Sequence, residues 1–235
     1  MNLITLIDDS FHYTLKNWKI LILLGIILCM ASSIEELHLS NHYIIVTLIF
    51  IISTVLLFFE EGYRSKIIET TLDGENAPPS IVGNHLEVIV DGFKEILIIY
   101  VYMIVFGIMY GFGVRIMDIT DNPLIWIPFI VPSVLIYICF FGAAINKALN
   151  DGKMKSAFNI KEILRLYYKL GIFETLFIII IESISLNIVI SCILDLGILR
   201  SLPSIDFILS LIVSPIFLLF TTRLFSMCVR QSLTS

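Results

Sequence analysis

Charge is what this chain is shortest of. Asp, Glu, Lys and Arg together make up 15% of its 235 residues, where a soluble domain carries about 25%. The few charges sit in blocks between long uncharged runs, which excludes a disordered chain and a nucleic-acid binder. Cysteine offers no chemistry. Cys29, Cys139, Cys192 and Cys228 lie in or beside apolar runs, without a CxxC and without His at ligand spacing. They read as small apolar side chains rather than as a disulfide framework or metal ligands. No HExxH, GxSxG or P-loop occurs, so neither an enzyme nor a cofactor is expected. His38 and His42, close to Glu35, read as solvated loop residues rather than a metal site. No removable signal is expected either: Asp8 and Asp9 stand where cations should precede the first apolar run, and no small-residue cleavage site follows it.

What is present is apolar. The nine hydrophobic residue types reach 58%, and the mean hydropathy is +0.97. Six segments approach the roughly 20 apolar residues that cross a bilayer: Trp18–Ile34, His42–Phe59, Ile96–Val114, Leu124–Ala144, Ile172–Leu194 and Ile205–Val229. None alternates polar with apolar as barrel strands do, so helices are predicted. The fold class read from the sequence is therefore an all-α integral membrane protein, a single domain over residues 1–235.

The cations orient it. Lys16, Lys19, Arg64, Lys66, Lys94, Lys147, Lys153, Lys155, Lys161, Arg165, Lys169, Arg223 and Arg230 fall on one side of the six spans, and only Arg115 and Arg200 on the other. The sparse side carries Glu35, Glu36, Asp118, Asp121, Asp195 and Asp206. The positive-inside rule then puts both termini in the cytoplasm of a cell-membrane protein.

The cytoplasmic loops are patterned. Ile160, Ile163, Leu164 and Tyr167 share one helical face, opposite a stripe of Lys161, Arg165 and Lys169. Asn159 with Glu162 reads as a capping box. The prediction is a helix lying on anionic headgroups of the inner leaflet. Asn84 with Glu87 starts a similar pattern of Leu86, Ile89, Val90 and Phe93, after a turn-rich linker over 73–83. Phe11, Thr14, Leu15 and Trp18 repeat that spacing. An interfacial helix followed by a two-span hairpin thus recurs over 1–72, 84–152 and 157–235, a threefold parallel repeat.

Within this plan, Gly62-Tyr63-x-x-Lys66-Ile67-Ile68-x-x-Thr71-Leu72-x-Gly74-Glu75, then Pro78-Pro79 and Asp91-Gly92-Phe93-Lys94, resembles an archaeal family of multi-pass membrane proteins. That family is common in methanogens and catalogued as a domain of unknown function. The hairpin plan is also similar to the membrane domain fused to some bacterial glycerophosphodiester phosphodiesterases. The resemblance implies a membrane location and carries no catalytic residues. Family members often have an aromatic-acidic stretch after the prolines; this chain has Ser80-Ile81-Val82-Gly83 there.

Ionisable groups inside apolar spans are costly and so informative. Glu182 sits in mid-span with Ser185 one turn on and Asn187 on another face. It reads either as a proton- or cation-binding carboxylate lining a cavity, or as a carboxyl tied to a polar group across the bundle. Glu60, Glu61, Asn146 and Glu174 stand at one inner depth as a second polar cluster. Pro128, Pro132 and Pro215 predict kinks, and Gly107-x-x-x-Gly111 a close helix approach. Functionally, a non-catalytic scaffold or a factor that interacts with lipid or with a protein partner asks least of these residues. The alternative is a small transporter with its site near Glu182. A membrane-embedded enzyme acting on a lipid headgroup comes last. An aqueous cavity reaching Glu182 would favour the transporter.

Overall fold

The computed structural model of the chain describes residues 3–16, 18–26, 43–79, 85–120, 127–194 and 209–234, and no strand occurs among them. The helices are α1 (Leu3–Lys16), α2 (18–26), α3 (Tyr43–Asp73), α4 (His85–Thr120), α5 (Ile127–Ala148), α6 (Ile160–Leu170), α7 (Ile172–Leu194) and α8 (Ser214–Thr234). A 3-10 turn, Met154–Phe158, precedes α6, and a wide π turn, Leu209–Val213, precedes α8. Pro215 accounts for the π turn, because it has no N–H for the α-helical bond to Leu211 and the backbone widens to avoid its ring.

α8 is the axis of the bundle. It packs against α1, α3, α6 and α7, and its buried face runs from Ser214 to Val229. The larger core cluster joins Leu6 of α1, Ile98 and Tyr102 of α4, Ile163 and Tyr167 of α6, and Leu224, Phe225 and Val229 of α8. A smaller one joins Tyr13, Ile20 and Leu24 to Tyr63, Ile67, Val88 and Leu219.

Glycine decides how α3 and α4 meet. A Cβ added to Gly62 would run into the Val88 carbonyl, and one added to Gly92 into the Phe58 carbonyl. The two glycines face each other, so the backbones touch where any side chain would hold them apart. Beside this crossing Lys66 reaches Glu69 (3.2 Å), Glu87 (2.8 Å) and Asp91 (3.4 Å), and Lys94 reaches Asp91 (2.8 Å). Burial pushes the Asp91 carboxyl up, but Lys94, Lys66 and Lys147 outweigh it and hold the group below the usual carboxylate range.

Several expectations change. The interfacial helix expected over 84–95 is the start of α4, one continuous helix of 36 residues, about 54 Å long against a hydrocarbon core of about 30 Å. Its Leu86, Val90 and Phe93 are exposed, and Val88, Asp91, Gly92 and Glu95 face inward instead. In α1, likewise, Phe11, Leu15 and Trp18 beyond it are exposed, while Leu6, Ser10, Tyr13 and Thr14 are buried. α6 forms as read, with the Asn159 side chain accepting from the Glu162 N–H at 3.4 Å. Ile163 and Tyr167, expected on the leaflet, are in the protein core: Gly142 lets Ile163 approach α5, and the Tyr167 hydroxyl donates to the Ile138 carbonyl at 3.1 Å. Gly107 and Gly111 have no neighbour within 4 Å at their Cβ positions, so that face makes no helix contact among the described residues. Trp126, Asn84, Cys29, His38, His42 and Glu35 lie outside the described residues.

Candidate ion-binding site

One polar cluster inside the bundle holds more carboxyl groups than bases. α3 contributes Glu60, Glu61, Arg64 and Ser65 on two successive turns, α4 Glu95, α5 Lys147, α7 Glu182, and α8 Thr221 and Thr222. Glu61, Arg64, Ser65, Glu95, Glu182 and Thr222 line one cavity of about 50 Å³, closed on its apolar side by Ile98, Phe140, Phe141 and Phe225. One water needs roughly 10–15 Å³ of such space, so the cavity has room for a few.

Two ion pairs contribute to its polar wall, through Glu61, Arg64 and Glu95. The Arg64 guanidinium donates from Nη1 to both Glu61 oxygens, at 2.9 and 3.0 Å, and from Nε to Thr222 Oγ1 at 3.4 Å. Lys147, 1% exposed at its side chain, pairs with Glu95 and donates to Ser65 Oγ at 3.1 Å. Leaving water costs such a pair several kcal/mol per ion, which its mutual attraction and hydrogen bonds must offset.

Two carboxyls are left over. Glu182 is buried and hydrogen-bonded with Thr221, with the Arg64 charge nearby. Glu60 is buried beside Glu61 and Arg64. Neither has a base within ion-pair distance among the described residues. Four carboxyls (Glu60, Glu61, Glu95, Glu182) therefore stand with two bases (Arg64, Lys147), although Glu60 and Lys147 do not line the cavity itself. Such a surplus is tolerated only if carboxyls hold protons or a cation sits among them.

The sequence-derived candidates distribute unevenly over this geometry. Glu182 and Glu61, assigned from the sequence to different depths, meet in one cavity. Ser185 is buried one turn from Glu182, and the Asn187 side chain lies outside the described residues. Asn146 is elsewhere: it donates to the Ser156 carbonyl at 2.6 Å and to Glu162 Oε2 at 3.4 Å, tying α5 to the 3-10 turn. Glu174 is half-buried against Gly171 and Cys228, off the cavity. Lys161, Arg165 and Lys169 all point outward from α6. Glu95, Lys147 and the α8 threonines were not singled out from the sequence. Their signal is faint, because Glu95 and Lys147 stand at span ends, where solvated charges are ordinary.

The family model described as Protein of unknown function (DUF4013) matches residues 45–198. That stretch contains every charged residue of the cavity, while Thr221 and Thr222 lie beyond it. No curated protein and no solved structure matches the chain.

Proposed function

The chain belongs to the DUF4013 family, and we propose that it is a multi-pass membrane protein that binds a proton or small monovalent cation at Glu182 and couples it to transport. One observation carries the reading: a cavity with a partly polar wall reaches Glu182, and three carboxyls, Glu61, Glu95 and Glu182, line it with Arg64 as the one base of the lining. A scaffold needs no such cavity, and a buried surplus of acid is an expensive way to hold helices together.

The membrane setting has its own support. Among the described residues two helices, His85–Ile116 and Leu211–Thr234, are long and apolar enough to cross a bilayer. α4 presents Tyr100, Ile104, Phe106, Ile108, Tyr110 and Phe112 outward, more apolar surface than a water-soluble monomer leaves bare. The proposal extends this to six spans in three hairpins with both termini cytoplasmic, on the strength of the cation distribution. The outward stripe of Lys161, Arg165 and Lys169 fits anionic headgroups of the inner leaflet, each cation being worth about 1 kcal/mol there.

Reconstituted into vesicles loaded with a pH-sensitive dye, the full chain should move protons when a sodium or potassium gradient is imposed. Glu182→Gln keeps a hydrogen-bonding group in place but cannot titrate, and should reduce that flux at least tenfold while leaving thermal stability unchanged. Flux no greater than from empty vesicles, or undiminished in Glu182→Gln, removes the proposal.

A further inference from the structure

A second cavity lies on the opposite side of α8, and its electrostatics are reversed. It measures about 310 Å³ and is lined by Asp9, His12, Tyr13 and Lys16 of α1, Asn76 after α3, and Arg223 and Met227 of α8. That volume is at the lower end of the range of small-molecule sites, roughly 300–1,000 Å³.

Arg223 is the anomaly. It is 3% exposed, yet no carboxylate lies within ion-pair distance of it among the described residues. Its guanidinium is held in place by neutral groups: Nη1 donates to Thr71 Oγ1 (2.6 Å) and to the Glu75 carbonyl (3.0 Å), and Nη2 approaches Asn76 Oδ1 (3.5 Å). The Tyr13 ring covers it at 4.3 Å, and its Nε has no acceptor among the described residues. Two further cations stand near. Lys16 lines the same cavity without an ion-pair partner among the described residues, and Arg230 is close enough for its charge to bear on Arg223. Asp9 is the one acidic side chain of the lining, and its charge bears on Arg223 without an ion-pair contact. His12 turns its Nδ1 toward Asp8 at 3.3 Å.

A buried cation without an ion-pair contact is costly, and a planar guanidinium fixed by neutral acceptors is well suited to an oxyanion. We propose that this crevice between α1 and α8 binds a phosphate group, with Arg223 and Lys16 as its charge partners and Asn76 and His12 as hydrogen-bonding neighbours. Its source is either a phospholipid headgroup or free phosphate. The proposal uses none of the Glu182 cavity and stands or falls separately from it.

The test takes the delipidated full chain in a neutral detergent and follows thermal unfolding with three probes: dioctanoyl phosphatidylglycerol, dioctanoyl phosphatidylcholine and inorganic phosphate. Lys16→Gln and Arg223→Lys are run beside the natural chain. Lys16 is exposed, so Lys16→Gln should fold normally and raise the concentration needed for half-maximal stabilisation at least fivefold. Arg223→Lys should weaken it further; if it does not fold, Lys16→Gln alone decides. Stabilisation by either phospholipid but not by inorganic phosphate identifies a headgroup site. Stabilisation by inorganic phosphate with the same Lys16 dependence identifies a free-phosphate site. No stabilisation by any probe, or stabilisation untouched by Lys16→Gln, overturns the proposal.

Discussion

Among single residues, Lys147 is the one whose role its place in the sequence hides most. It follows an apolar run and stands near other cations in the sequence, so it reads as a solvated charge. In the fold it is nearly inaccessible, paired with Glu95 and bonded to Ser65. Removing one member of such a pair strands the other, which costs about 3–5 kcal/mol, whereas replacing both by apolar groups of similar size is often neutral. Lys147→Met should therefore lower stability by about that amount in detergent unfolding, and Lys147→Met with Glu95→Leu should recover most of the loss. A single variant as stable as the natural chain would mean that the pair is not buried in solution. Glu182 was legible for the converse reason: a lone acid inside an apolar run has no bland explanation at the surface. Its neighbours were not legible, because Arg64 and Thr221 come from helices more than a hundred and nearly forty residues away in sequence, and no local pattern links them.

The elements tell a related story about faces. α1 and the start of α4 both carry an apolar stripe that sequence periodicity finds, yet both leave most of it exposed: α1 packs Leu6, Ser10, Tyr13 and Thr14 inward, and α4 packs Val88, Asp91, Gly92 and Glu95. In water that arrangement would be inverted. Against hydrocarbon it is reasonable, since lipid solvates apolar side chains and helices associate through small residues and hydrogen bonds. α6 follows the opposite rule, with Ile163 and Tyr167 inside and its cations outside, so periodicity locates a stripe without saying what covers it. The same ambiguity governs glycine. Gly107 and Gly111 have the spacing associated with helix pairing, yet a Cβ at either would meet nothing within 4 Å among the described residues, whereas Gly62 and Gly92, far apart in the chain, bring two backbones together. Gly62→Ala should force α3 and α4 apart and cost about 1–3 kcal/mol, as overpacking does. Gly107→Ala should be neutral or slightly stabilising, since alanine is the better helix former by about 1 kcal/mol. Thermal unfolding of the two variants side by side distinguishes these outcomes; equal losses would contradict the crossing described here.

For the whole molecule, helical class and approximate helix positions were readable because long apolar runs leave few alternatives. The continuity of α4, the wide turn before Pro215 and the gathering of charges around one cavity were not, since each depends on how helices meet. The six-span orientation rests on charge placement, and reporter fusions test it: fusions after Ser40, Asp121 and Leu202 should read external, and fusions after Gly74 and Lys155 internal. A cytoplasmic reading at any of the first three sites contradicts the span count. The proposed activity rests on exchange of a proton for a cation at Glu182, and proton release measures that exchange most directly. Sodium or potassium added to the weakly buffered full chain in detergent should release protons saturably, and Glu182→Gln of equal thermal stability should release almost none. No release from the natural chain, or equal release from both proteins, would contradict the account.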